Sequence, residues 1–258
     1  MTVTGPDARW EPLRDQVRSE TIKIRTARML WLLPLCACVL APLAALIVGM
    51  TGSMEPGDTV LGGALTGSAL SLAVTAAWGA LVMSSEFSSG TIRPVLAATP
   101  ARGVVLTAKA IVAGSVAVVT GTVAISAAAV IGHVAIDAAK YPAGQLFPGV
   151  IGIVACFPLV AWLGLAVGAL LRSSVGAVAV ATAAVVLPQL SAAESFGALH
   201  RWSTLVAPTA VVTKLSQSSD AAPELMGSLG GWPRLALVAA GTLAAYLTAR
   251  RRFDRIDV

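Results

Sequence analysis

The sequence predicts an all-α membrane protein with six transmembrane helices. Three observations lead there. Only 12% of residues are charged and 56% are hydrophobic, with mean hydropathy +0.81, whereas soluble domains carry roughly a quarter charged residues. Several long runs hold no charge at all: residues 59–83 and 110–136 contain no Asp, Glu, Lys or Arg. Finally, the bases behind the net charge of +5 gather beside apolar runs, a distribution that fits membrane flanks and argues against a nucleic-acid partner.

Residues 1–28 precede the first apolar run. Met1–Pro6 reads as a frayed terminus, and the apolar run begins too late for a cleavable signal peptide. From Glu11 to Arg28 acids and bases interleave at helical spacing. Trp10, Leu13, Val17, Ile24 and Ala27 form an apolar stripe. The expected structure is an amphipathic helix lying along the membrane interface, with Leu13, Val17 and Ile24 as its anchors.

The six spans are expected at residues 29–50, 59–83, 104–132, 148–171, 175–191 and 232–249, each long enough or nearly so to cross the hydrocarbon layer. Pro34 and Pro42 fall in the first, where a bundle tolerates them. Gly63 and Gly67 in the second, and Gly164 and Gly168 in the fourth, stand at small-xxx-small spacing and predict close helix packing. Residues 192–231 are too polar and too interrupted, by Pro208 and Pro223, to cross. Leu205–Leu215 is apolar enough to touch the membrane, so one or two short helices dipping into the outer leaflet are expected, against the alternative of a folded outer cap. Trp202 and Trp232 suit an interfacial aromatic belt.

The bases orient the chain. With the amino terminus inside, the outer segments hold only Lys140, Arg201, Lys214 and Arg234 of the 18 bases, leaving 14 inside. Both termini are therefore expected in the cytoplasm of a cell whose plasma membrane the chain crosses.

Between the second and third spans, residues 84–103 carry more order than a plain connection requires. Ser88 or Ser89 can cap a helix start, and Pro94 suits a first helical turn. Ile92, Val95 and Leu96 share one helix face. Thr99-Pro100 repeats the cap-then-proline signal before the third span. This predicts a short amphipathic helix outside the bilayer, presenting an apolar face either to lipid headgroups or to a partner. Glu86, at the membrane end of the second span, would orient the loop through a hydrogen bond or ion pair.

Several chemistries are excluded. No Gly-x-x-x-x-Gly-Lys-[Ser/Thr] occurs, so the chain lacks a P-loop for ATP. The central portions of the spans hold no ionisable side chain of the kind that ion-coupled carriers use at depth. The Leu65-Thr66-Gly67-Ser68 segment has no embedded His to activate its serine. Cys36, Cys38 and Cys156 lie in apolar runs and read as reduced core residues, and no His, Cys or carboxylate pair has metal-site spacing. His133 and His200 are expected in outer loops.

The order Glu86-x-x-x-Gly90-Thr91-Ile92-Arg93, followed by Leu96, Pro100, Arg102, Leu106 and Lys109, resembles the intracellular loop of ABC-2 type permeases. Pro94 inside the short helix departs from that pattern. The resemblance implies that residues 84–103 carry a coupling helix, with Glu86, Gly90, Thr91, Ile92, Arg93, Val95 and Leu96 contacting an ATP-binding subunit. It implies that residues 1–28 form an elbow helix near that subunit, and that residues 192–231 are re-entrant and line an exit. It further implies two ATPase copies that bind ATP and Mg, no cofactor on this chain, and a second permease copy or a similar permease. The expected function is that of an exporter permease, not an enzyme, moving an apolar or amphipathic substrate such as a drug, lipid-like molecule or peptide. The alternative is a non-transporting scaffold or sensor that uses the same inner surface.

Overall fold

The structure, a computed structural model, describes residues 11–54, 57–98, 102–190, 205–216 and 229–255. Among these residues all regular structure is helical: α1 Glu11–Thr26, α2 Arg28–Thr51, α3 Val60–Ala64, α4 Ser68–Ser88, α5 Ile92–Ala98, α6 Arg102–Ala135, α7 Gly149–Leu171, α8 Ser174–Leu190, α9 Pro208–Ser216 and α10 Gly231–Asp254. Among the described residues four stretches are long and apolar enough to cross a membrane: Arg28–Thr51, Val60–Ser88, Arg102–Ala135 and Gly149–Leu171. Six were expected. α8 is described over 17 residues, about 26 Å at 1.5 Å per residue, up to Leu190, the last described residue before 205. α10 is long enough but carries Arg234 near its start and Arg250, Arg251, Arg252 and Asp254 at its end.

The bundle is built on close backbone approaches. α4 packs against α7 more extensively than any other pair does, and glycines make this possible. A Cβ at Gly79 would collide with the carbonyl oxygen of Ala161, and one at Gly164 with that of Ala76. Gly168 faces the Ala80 carbonyl in the same way. α2 pairs with α6, where Gly49 meets Ala135. Large aromatic side chains fill the remaining space and satisfy their polar atoms on carbonyls. The indole of Trp78 donates to Leu30 O at 2.8 Å, and that of Trp162 to Ala110 O at 2.8 Å. These indoles therefore join helices without leaving a buried donor unpaired.

The second expected span is divided. α3 ends at Ala64, a turn spans residues 65–67, and α4 then runs on to Ser88. Gly67 sits at this break against Ala41 and Ala44 of α2, while Gly63 faces Met54 and Ile136. The start of α3 is fixed from outside the helix. Thr59 caps it by accepting from Gly62 N–H at 2.9 Å, and Val60 N–H donates to Pro142 O at 2.9 Å. α6 is 34 residues long, about 51 Å by its rise, so it projects beyond a bilayer. His133 lies in its last turn, not in a loop as expected. Of the expected re-entrant segment, the described part is α9, which packs on α7 and α10. Residues 192–204, including His200 and Trp202, and residues 217–228 lie outside the described residues, as do Trp10, Thr99 and Pro100.

Candidate functional site

α1, the end of α4 and the start of α6 meet in a ring of charges. Glu20 and Lys23 come from α1, Glu86 from α4 and Lys109 from α6. Lys109 Nζ donates to Glu20 Oε2 at 2.7 Å and to Glu86 Oε1 at 2.7 Å. Lys23 Nζ donates to Glu20 Oε1 at 2.7 Å and to Glu86 Oε1 at 2.8 Å. Each base thus touches both acids, and each acid both bases. The side chains of Lys109, Glu20 and Glu86 are only 1%, 3% and 9% exposed. The third Lys109 donor bonds to Val82 O at 3.3 Å, and Gln16 Nε2 donates to Glu20 Oε1 at 3.3 Å.

Local structure explains the arrangement. On α1, positions 16, 20 and 24 recur every four residues and are the buried ones. The face turned inward is therefore partly polar: Gln16, Glu20 and Ile24, with Leu13 and Val17 half-buried beside them. The apolar stripe expected along this helix is not its whole buried surface. Ile22 and Ala27 point outward. Burial works against charge on Lys23, but its bonds to Glu20 and Glu86 outweigh that, and its pKa is raised above 10.5. Taking charges out of water costs several kcal/mol each, and a closed ring of alternating sign is the arrangement that offsets it. Glu86 Oε2 and the nearby Ser84 hydroxyl are buried without a hydrogen-bond partner.

The end of α4 is also tied elsewhere. Phe87 packs edge-on against Phe253 of α10, with ring centroids 6.5 Å apart, and the Arg172 guanidinium lies over the Phe87 ring at 5.8 Å. The Ser88 and Ser174 hydroxyls are 2.8 Å apart. Four neighbours therefore converge on the last turn of α4: α1, α6, the α7–α8 turn and α10.

From this root the chain turns at Gly90, whose φ of 72° is left-handed and suits glycine, and enters α5. Ser88 and Ser89 do not cap α5 as expected. Their hydroxyls donate back to Ser84 O at 3.2 Å and Ser85 O at 2.8 Å, because Ser88 is the last residue of α4 and Ser89 its C-cap. Pro94 sits in the first turn of α5, where its missing N–H has no partner to lose.

The apolar face of α5 is turned inward. Ile92 and Leu96 are 8% and 7% exposed and belong to the chain's own core, with Val95 half-buried beside them. An apolar face finds the nearest apolar surface, and here that is the body of the same chain. The outward face carries Gly90, Thr91, Arg93, Pro94 and Ala97.

Sequence reasoning reached Glu86 as an ion-pairing residue but missed Glu20 and Lys109 as its ring partners. The available signal was Lys109, a lone base with no charge between it and His133, which must find an acid once buried.

No curated protein matches the chain. The profile of the ABC-2 family transporter proteins matches residues 16–188, about two thirds of the chain. The matched region includes α2–α7, the charge ring and the loop that carries α5. With its apolar helices and this match, the protein belongs to the ABC-2 transporter family, as a membrane component of a transport system.

Proposed function

We propose that this chain is the permease subunit of an ATP-driven exporter. It moves an apolar or amphipathic substrate outward across the plasma membrane by alternating access. ATP is hydrolysed on a separate subunit, present in two copies, and a second permease completes the assembly. Both termini lie in the cytoplasm, α8 and α10 serve as the fifth and sixth spans, and α9 with its flanking segments is re-entrant. The lack of a P-loop supports a separate motor.

The observation that carries this reading is the charge ring at the root of the α5 loop. A force applied to α5 reaches α4 through one glycine turn, and the ring passes it to α1 and α6. That is the connection a permease needs if an ATPase pushes on its loop. The contact with the ATPase is made by the outward face of α5: Gly90, Thr91, Arg93, Pro94 and Ala97. Ile92, Val95 and Leu96 hold that face in place from below.

The test is co-purification of the permease with its ATPase, followed by ATP hydrolysis with and without candidate substrates. Stable association and substrate-stimulated hydrolysis, both weakened by Arg93→Glu, are expected. Association without any stimulation across a broad panel of amphipathic substrates would favour a scaffold or sensor instead.

A further inference from the structure

A groove of about 500 Å³ runs between α2 and α6, with Ile24 of α1 in its wall. Its size falls within the range of small-molecule sites. Trp31, Leu35 and Cys38 line it from α2, and Val116 and Val119 from α6. Ile24 follows Lys23 of the charge ring by one residue, so the groove lies at the ring end of the bundle. From Leu30 to Cys38 it follows α2 for about 12 Å, less than half of a hydrocarbon layer about 30 Å thick. It therefore sits within one leaflet.

The wall suits a hydrocarbon. The Cys38 thiol donates to Thr120 O at 3.7 Å, and the Ser115 hydroxyl to Ile111 O at 2.8 Å. These polar side chains are satisfied within the chain and make little demand on an occupant.

The chemistry changes where α1 meets α2. Arg28 opens α2, three residues before Trp31 and on the same helix face, and Arg25 follows Ile24. Both bases are exposed, and among the described residues neither joins an ion pair. The nearest acid in sequence, Glu20, is held by Lys23 and Lys109. The first turn of α2 has no acid and no side-chain cap, so its positive end adds to the two bases. Trp31 is 42% exposed. Its indole N–H has no partner among the described residues, whereas those of Trp78 and Trp162 donate to carbonyls. An apolar groove thus ends beside two bases and an indole donor.

We propose that this groove holds one anionic phospholipid from the leaflet on the charge-ring side, the inner leaflet in the orientation proposed above. One acyl chain lies along Leu35, Cys38 and Val119. The phosphate sits beside Arg28 and the Trp31 N–H, with Arg25 adding its charge. A chain bound there packs against Ile24 and so braces the helix that contributes Glu20 and Lys23 to the ring. The site requires only that the chain crosses a membrane, so it stands independently of the permease reading.

The experiment uses the full chain, delipidated in a neutral maltoside detergent, titrated with phosphatidylglycerol and followed by native mass spectrometry. Saturable binding of one molecule is expected, several times tighter than that of phosphatidylcholine with the same chains. Arg25→Gln together with Arg28→Gln should weaken it roughly tenfold or more, and Arg25→Lys with Arg28→Lys should largely keep it. Trp31→Phe retains a ring without the donor and should weaken it severalfold. Val119→Trp fills the groove from its exposed wall and should abolish one-to-one binding. Leu243→Trp, on an exposed face of α10, should not. Glycerol phosphate carries the charge without the chains and should not compete at equal concentration. Equal binding of phosphatidylcholine, unchanged binding in the double Gln variant or in Val119→Trp, or full competition by glycerol phosphate would each overturn the proposal. So would a lipid-free dimer of the parent chain that Val119→Trp disrupts, which would assign the groove to a second copy. If the double Gln variant fails to fold, Trp31→Phe, Val119→Trp and the phosphatidylcholine comparison still decide it.

Discussion

Lys109 and Glu20 stand 89 residues apart in sequence, and their side chains meet at 2.7 Å in the interior. One lies at the start of a membrane-spanning helix and the other on the amphipathic helix that precedes all the spans. Through Glu86 the same ammonium reaches the helix that ends in the α5 loop. Removing Lys109 would leave two carboxylates buried with only Lys23 between them. Lys109→Met should therefore destabilise the protein by about 3–5 kcal/mol. Adding Glu20→Gln should cost clearly less than the sum of the two single changes, because the pair is in direct contact. A double-mutant cycle on reversible detergent unfolding measures this, and strict additivity would contradict the ring.

Lys23 gives the ring a dependence on alkaline pH. Its pKa in the folded protein lies above the ordinary 10.5, so folding favours its charged form. The stabilisation is fully present below pH 10.5 and is lost as pH rises through the higher folded value. The melting temperature should fall across that alkaline window, and Lys23→Gln should flatten the fall while lowering the value at pH 8. A Lys23→Gln variant with an unchanged alkaline profile would place the dependence elsewhere.

The two faces of α5 should separate under mutation. Leu96→Asp buries an unpaired polar group in the chain's own core and forfeits about 1.5–3 kcal/mol of apolar burial. It should lower the stability of the isolated permease. Arg93→Glu touches only the exposed face, so it should leave that stability within about 0.5 kcal/mol while weakening ATPase association. Thermal unfolding of the permease alone, set beside co-purification yields, distinguishes the two.

Gly164→Ala should be among the most damaging small changes in the bundle, because the added methyl group meets the backbone of α4 at Ala76. Backbone cannot rotate away, so α4 and α7 must separate. Gly241→Ala is the control. It lies inside α10 with open space around it, and alanine there should be neutral or stabilise by up to about 1 kcal/mol. Comparable losses from both substitutions would refute the close approach.

Orientation is checked by labelling. In a variant lacking Cys36, Cys38 and Cys156, a cysteine placed at Ser218 should react with an impermeant reagent in sealed cells, and one at Ser89 only after lysis. The reverse pattern would invert the topology.

Composition and charge position made the helical membrane class legible, because burial in lipid leaves few alternatives for backbone hydrogen bonds. The existence of α1 and α5 was also legible, from apolar residues at helical spacing. The division of the second span was not. Its cause is tertiary: Gly67 packs against α2, and Val60 N–H is satisfied by a carbonyl from a distant loop. The packing of Ile92 and Leu96 on the chain's own core was not legible either, for a similar reason. Periodicity reveals that Ile92 and Leu96 share a face, but not whether that face meets the same chain or another. The ring was half visible. Glu86 stood out at a membrane boundary, while Glu20 looked like one more charge on an interleaved helix.

The charge ring also has an order of birth. Glu20 and Lys23 leave the ribosome first, Glu86 next and Lys109 last. At about 5–20 residues per second, the 89 residues between Glu20 and Lys109 take on the order of 5–20 s to synthesise. During that interval Glu86 must enter or wait beside the bilayer with only Lys23 to neutralise it, and Glu20 has no fixed place. Closure becomes possible only when the third span begins to insert, so the ring acts as a register mark for correct assembly of the nascent chain. A stalled chain ending before Lys109 should leave α1 open to protease, and one extended through α6 should protect it.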